Sequence, residues 1–392
     1  MKKMRWLLFC VCWIKLSGQT VQKTMALLPD TGQTNNYTST FGEDSDYSIN
    51  PPQYVLNNDG TLTDVNTGLI WAIQDGGEMT FESAQMYCDQ LNLAGYTDWR
   101  LPSPIEGFSI LNHQRNNPAL DTNYFATTSA EYWWTSKTQL GDANKVWCTN
   151  AGGGIGNHPK SETISAGGSK KFHVRAVRQT SPTIELTERF MDNADGTVTD
   201  LLTQLTWQKA PNTTGMTWEQ ALSYAEQLTL AGNSQWRLPN IKELQSLHDP
   251  ELVNPAIGSV FNNVGVRNYW SSTTLSNQNL KAWYWNTQFG ITTYDLKTNS
   301  NYVICVSGES SLNNQNQDFK SYTIYPNPAD AYFQIYTNKS TETHRFSLYN
   351  SLWQKVAEFS SYHMNTSLLP NGIYFLKVDE GTLITQKIMI SH

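Results

Sequence analysis

The tetrapeptide Trp99-Arg100-Leu101-Pro102 occurs a second time as Trp236-Arg237-Leu238-Pro239. An arginine placed twice in one setting can grip a carboxylate or other anion through its planar fork of donors. A catalytic arginine would keep recurring acidic or nucleophilic company, yet the residues before the motif differ, Thr97-Asp98 in one copy and Ser234-Gln235 in the other. Trp99, Arg100 and Pro102, with Trp236, Arg237 and Pro239, are therefore read as a structural joint, both arginines largely buried and hydrogen-bonded.

A second cluster is the stretch KKFHVRAVR, residues 170 to 178. On a strand, Lys171, His173 and Arg175 share one face and Phe172, Val174 and Ala176 the other. Such a row suits sulfate or carboxylate groups; the alternative is a plain solvated strand face. Aromatic rings supply a third chemistry, stacking on sugars or anchoring interfaces. Trp134, Trp147, Trp270 and Trp283 recur at matched positions and are assigned to the core. Trp133, Tyr284 and Trp285 are the surface candidates, since strand alternation turns the neighbours of core residues outward.

Other chemistries find no pattern. There is no Gly-x-Ser-x-Gly, no His-Glu-x-x-His and no cysteine pair at metal spacing, and the glycine-rich stretch from Asn150 to Gly168 lacks the Gly-Lys-Ser/Thr ending of a phosphate loop. A calcium-loop reading of the Asp-Gly turns fails because the twelfth position is Asn66 or Leu202, not Glu. No catalytic residue, metal ligand or cofactor is assigned, and the expectation is a protein that is not an enzyme.

These residues sit in a chain of 392 residues, 39% hydrophobic, with 14 Trp, 19 Tyr and 14 Phe. That suits two or three folded domains. A net charge of -7 argues against a nucleic-acid partner. The start MKKMRWLLFCVCWIKLSG has the basic, apolar and small-residue regions of a signal peptide, residues 1–18. No later apolar run approaches the length of a transmembrane segment. Removal of the signal would leave Cys88, Cys148 and Cys305, which can form at most one internal disulfide.

Most of the chain is one unit written twice. NNDGTLTDVNTGLIW from Asn57 matches DNADGTVTDLLTQLTW from Asp192, and MTFESAQMYCDQLNLAGYTDWRLP from Met79 matches MTWEQALSYAEQLTLAGNSQWRLP from Met216. Each unit opens with a hairpin turned at Asp59-Gly60 or Asp195-Gly196. A helix follows, with Thr217 and Gln220 forming a capping box and Gly95 or Gly232 supplying a left-handed stop. A second helix starts at Ser103-Pro104 or Asn240, with Ile241, Leu244 and Leu247 on its buried face. The remainder reads as short strands and long loops. Expected boundaries are a lead-in at 19–52, repeat 1 at 53–180, repeat 2 at 188–308, a polar linker at 309–320 and a β-sandwich at 321–392, where alternating residues and turn signals recur.

Tyr325-Pro326-Asn327-Pro328, Leu369-Pro370-Asn371-Gly372-Ile373-Tyr374 and the closing Lys387-Ile388 make the tail resemble the C-terminal sorting domain of the type IX secretion system of Bacteroidetes. One departure is Leu352-Trp353, where that family usually has a glycine. The resemblance implies the type IX machinery as a partner, and an outer cell-surface or extracellular location.

The repeats, through the lead-in LLPDTGQT, both Asp-Gly-Thr turns, both Trp-Arg-Leu-Pro motifs and the Tyr-Trp-Ser/Thr-Ser segments, resemble the DUF1566 or Lcl C-terminal domain family. This implies an α+β fold: two tandem C-type-lectin-like domains, each with two helices and short antiparallel strands, before the all-β tail. It further implies an adhesin-like protein binding a glycan or extracellular polymer, sulfated in the named member. The alternatives are a protein-binding structural module and a secreted enzyme of formylglycine-generating-like fold. In such a fold a helix cysteine pairs with one on the last strand. Here a Cys88–Cys305 bridge, a Cys88–Cys148 bridge and three buried thiols all stay open.

Overall fold

Each repeat begins where an aspartate closes a tight turn on itself. Asp59 Oδ1 accepts from the Thr61 amide at 2.9 Å and hydroxyl at 2.6 Å, and Asp195 does the same for Thr197 at 3.0 and 2.6 Å. Gly60 and Gly196 take the positive φ that such a turn requires. The turns join strand Tyr54–Leu56 to Thr61–Asp64, and Phe190–Asp192 to Thr197–Asp200. The computed structural model describes residues 21–160, 172–180, 183–308, 311–312, 322–325, 329–337, 345–350, 354–379 and 384–392. The signal segment, Lys171, most of the linker, Pro326–Pro328 and Leu352–Trp353 lie outside the described residues. The chain separates into two compact units, residues 1–313, which hold both repeats, and 314–392.

The α+β expectation is overturned: the chain is mostly β. Among the described residues there are four α-helices, and they are short: α1 (Phe81–Gln90), α2 (Pro104–Ser109), α3 (Trp218–Gln227) and α4 (Ile241–Ser246). Strands fall into eight small sheets, so a lectin-like domain with two substantial helices is not what forms. The reason lies in the segment after α2. Its Trp, Tyr and Thr residues suit a pleated surface and build strands Tyr132–Gln139, Asp142–Asn150 and Ile155–Pro159, the last inside the stretch read as a glycine-rich loop. Repeat 2 matches them with Asn268–Thr274, Lys281–Asn286 and Ile291–Leu296.

The helices start where local chemistry says and stop early. Thr80, Ser103, Thr217 and Asn240 are the N-caps, with reciprocal capping boxes at Ser103–Glu106, Thr217–Gln220 and Asn240–Glu243. Ser109 and Ser246 turn their hydroxyls back onto the carbonyls of Glu106 and Glu243, both at 2.7 Å, in the last turns of α2 and α4. Gly95 and Gly232 are not the helix stops. With Ala94 and Ala231, also at positive φ, they form separate two-residue turns bridged between Leu93 and Tyr96 and between Leu230 and Asn233.

In the second unit, strands Tyr322–Tyr325, Tyr332–Thr337 and His363–Asn365 form one sheet. Lys355–Phe359, Arg345–Asn350, Gly372–Asp379 and Ile384–Ile390 form the other. Phe333, Ile335, Phe346, Leu348, Leu376 and Ile388 fill its core.

Within the first unit the repeats share a core: Phe108, Trp147 and Ile155 pack in one cluster with Ile241, Leu275 and Trp283. Each matched tryptophan meets a histidine of the other repeat: His113 of repeat 1 meets Trp283 edge-on at 5.5 Å, and Trp147 of repeat 1 meets His248 of repeat 2 at 4.5 Å, although the two histidines stand two positions apart in the repeat. The His248 ring fits because Gly290 has no side chain; a Cβ there would lie 2.1 Å from its Cδ2. Burial pushes both imidazoles from 6.5 down to about 3. The fold holds them neutral, whereas the unfolded chain takes up protons near pH 6.5. The stability they contribute is complete above that pH and is lost as pH falls towards 3, by about 1.4 kcal/mol per pH unit for each histidine. His248→Gln is expected to flatten the pH dependence of unfolding free energy by that amount between roughly pH 6 and pH 4. Urea unfolding of both proteins at each pH measures it, and parallel pH profiles would refute it.

Candidate functional site

The repeated arginine has a partner six residues downstream. Arg100 donates to Glu106 through Nη1 at 2.7 Å and Nη2 at 2.8 Å; Arg237 donates to Glu243 through both at 2.6 Å. The same carboxylates cap the second helices, accepting from the Ser103 and Asn240 amides at 2.7 and 2.9 Å. Each arginine also pairs its backbone with the last strand, at Val177 and Val306. Pro102 and Pro239 pass their carbonyls to Ser136 and Ser272, both at 2.8 Å, while Trp99 and Trp236 are buried. Recurring acidic company therefore exists; it lies after the motif. The capping-box spacing Ser103-x-x-Glu106 and Asn240-x-x-Glu243 was its sequence signal.

The two copies differ in exposure. Arg237 and Glu243 are each 4% exposed at the side chain, whereas Arg100 is 36% exposed beside a sealed Glu106. Burial alone would raise the Glu106 carboxyl; the Arg100 guanidinium outweighs it and holds the group below the ordinary glutamate value.

The basic row expected on a surface strand turns inward. His173 is 5% exposed and Arg175 2%, and the strand extends only over Phe172–His173. Both side chains gather around Asp75: His173 Nδ1 lies 3.0 Å from Oδ1, and Arg175 Nη2 3.8 Å from Oδ2. Oδ2 also accepts from Thr128 at 2.6 Å and from Trp133 Nε1 at 3.2 Å. Arg175 donates to the Ala72 and Ile73 carbonyls at 3.2 and 2.6 Å, and burial lowers it to about 10. Trp133 and Trp285 are buried rather than exposed, and Tyr284 is half-buried. Strand alternation misleads here because these sheets are covered on both faces. Trp134, Trp147, Trp270 and Trp283 are core residues.

Backbone bonds fix how the last strands of the two repeats correspond. Ala72 pairs with the Ala176 carbonyl as Gln208 does with Cys305, so Cys305 corresponds to Ala176 and Arg175 to Ile304. Cys88 and Ala176 share one core, Ala225 and Cys305 the other. Cys88, Cys148 and Cys305 are buried thiols, Cys148 donating to the Val146 carbonyl at 3.4 Å, and burial pushes Cys88 up to about 12.

A concavity lies between the repeats. Strand Ile155–Pro159 of repeat 1 adjoins Ile291–Leu296 of repeat 2, with the Ile155 amide donating to Thr292 Oγ1 at 2.9 Å. Beside this seam is a cleft of about 540 Å³ walled by Asn117, Tyr132, Asn150, the Gly152–Gly154 backbone, Trp283 and Tyr294. Asn150 Oδ1 accepts from the Gly152 and Gly154 amides at 2.9 and 3.1 Å, which fixes the glycine wall. Tyr294 stands edge-on to Trp283 at 5.6 Å and is 42% exposed. Amides, hydroxyls, backbone groups and aromatic edges line the cleft, with Glu131 its one charged side chain among the described residues.

Residues 60–178 and 196–307 each match the model of the Lcl C-terminal domain, and residues 323–391 match the secretion system C-terminal sorting domain. No curated protein matches the chain. Among solved structures, PorZ, a surface component of the type IX secretion system of Porphyromonas gingivalis, aligns at 12% identity with a TM-score of 0.17. That alignment covers 67% of this chain and 30% of PorZ. No helix among the described residues is long and apolar enough to cross a membrane.

The unequal burial of the two ion pairs has a measurable consequence. Arg237→Ala leaves Glu243 buried and unpaired and is expected to cost about 3–5 kcal/mol. Arg100→Ala opens to solvent and is expected to cost about 1–2 kcal/mol. Denaturant unfolding of the two variants compares them; equal losses would contradict the asymmetry.

Proposed function

The chain belongs to the Lcl C-terminal domain family, in two copies, and its sorting tail directs export through the type IX system to the cell surface or beyond; on that premise we propose that it binds a neutral glycan strand in the cleft between the repeats. The cleft is the observation that carries this reading. Its volume, about 540 Å³, suits a few sugar units. Its lining offers what sugar hydroxyls need: amide and hydroxyl partners from Asn117, Asn150 and Thr293, and the exposed ring of Tyr294 for stacking.

A wall whose one charge among the described residues is the Glu131 carboxylate favours neutral over sulfated chains, since the basic side chains His173 and Arg175 are committed to the interior. We read the role as binding without turnover. Asp75 is committed to His173, Trp133 and the cleft residue Thr128, whose hydroxyl it accepts, and His173 and Trp133 are buried.

Tyr294→Ala is expected to weaken glycan binding about tenfold, or about 1.4 kcal/mol, with little dependence on salt. A glycan array with the full chain, followed by calorimetry on the best ligand at two salt concentrations, measures this. Failure to bind any neutral glycan, or an affinity indifferent to Tyr294→Ala, would sink the proposal.

A further inference from the structure

A groove beside the first helix and the repeated arginine exists on both repeats, and the described residues fill only one of them. On repeat 2 the lead-in lies along α3. Thr38 Oγ1 donates to Glu219 at 2.8 Å, and the Tyr47 hydroxyl donates to Glu226. The Tyr47 ring covers Arg237, 5.6 Å from its guanidinium. Asp44 Oδ2 accepts from Thr273 Oγ1 at 2.6 Å, and Glu43 accepts from the Thr274 hydroxyl. Under this segment Arg237 is almost sealed from water.

On repeat 1 the corresponding groove is open. The matched bonds from Ser136 to Pro102 and from Ser272 to Pro239 fix the correspondence of the strands. Arg100 then stands for Arg237, Asp89 for Glu226 and Lys137 for Thr273. These three border a cleft of about 390 Å³ whose floor includes Glu106 and whose rim includes Gln85. Here the hydroxyl that holds Asp44 in repeat 2 is replaced by an ammonium. Among the described residues Lys137 is paired only with Glu251, at 3.2 Å across an exposed surface, with side chains 49% and 41% exposed, an interaction of little worth that a better-placed carboxylate can displace. Arg100, 36% exposed at its side chain where Arg237 is 4%, is the cation within reach of a ring entering the cleft.

We infer that the repeat 1 cleft docks an extended peptide carrying a carboxylate three residues before a tyrosine, as Asp44 precedes Tyr47 in the segment that fills repeat 2. The carboxylate pairs with Lys137, the ring covers Arg100, and the phenol donates to Asp89. This site is separate from the glycan cleft, and its occupant is an acidic, tyrosine-bearing segment of another protein.

The chain supplies its own probe. A fluorescein-labelled peptide with the sequence of residues 36–50, NYTSTFGEDSDYSIN, is titrated into the full chain and followed by anisotropy. Binding is expected to saturate and to weaken about tenfold or more in Lys137→Glu, which reverses the charge, and in Gln85→Trp, which fills the cleft from an exposed helix position. Both variants should keep the wild-type unfolding midpoint. A peptide carrying Asp44→Asn and Tyr47→Ala should not bind. No saturation by about 1 mM peptide, or equal affinity for wild type and both variants, overturns the inference. A dimer of the chain that Lys137→Glu dissociates would identify a second copy as occupant and overturn it equally.

Discussion

A guanidinium laid flat against a carboxylate that is already capping a helix is the constraint on which each repeat depends. Glu106 and Glu243 each gather two donors from arginine and one from the N-cap amide. Ionised groups can be taken out of water on such terms, because nearly every lone pair finds a donor. Three pieces of chain meet at this point: the last strand through the arginine backbone, the second helix through its cap, and the long central strand through the proline carbonyl. Without it, a six-residue helix has too few internal bonds to hold its position.

The lead-in extends the same logic to the level of the whole unit. Lys242, buried in α4, donates to the carbonyls of Asp30 at 2.7 Å and Ser109 at 2.6 Å, so one ammonium ties the lead-in and the end of α2 to repeat 2. Burial lowers Lys242 to about 8 and raises Asp30 to about 6. Charged groups in such a place contribute little net stability but strongly disfavour any other docking of the segment.

What could be read from the sequence was what short-range chemistry decides. The duplication, the Asp-Gly hairpins, the caps at Ser103 and Asn240 and the buried face of Ile241, Leu244 and Leu247 all follow from neighbours a few residues apart. Burial decided by distant chain could not be read. Trp133 and Trp285 sit on strands whose second face is covered, and Arg175 lies in the irregular stretch between two short strands, so alternation carried no information about solvent. The α+β expectation counted two helices per repeat, and the capping signals that mark those helices do not tell how short they are. Glu106 and Glu243 lie six residues after the arginines, on the opposite side of the motif from the residues that differ between the copies.

Matched elements meeting each other, strand Ile155–Pro159 with Ile291–Leu296 and α2 with α4, make the two repeats an approximate two-fold dimer written into a single chain. In a true homodimer every substitution appears at both equivalent places, so a surface cannot improve at one without changing the other. Fusion removes that bond. Lys137 can face a groove while Thr273 closes its counterpart, and Arg189 can cap the end of α4, bonding to the Ser246 carbonyl, while Lys242 caps the end of α2. Symmetry supplies the scaffold, and the single covalent chain permits each half to be specialised alone.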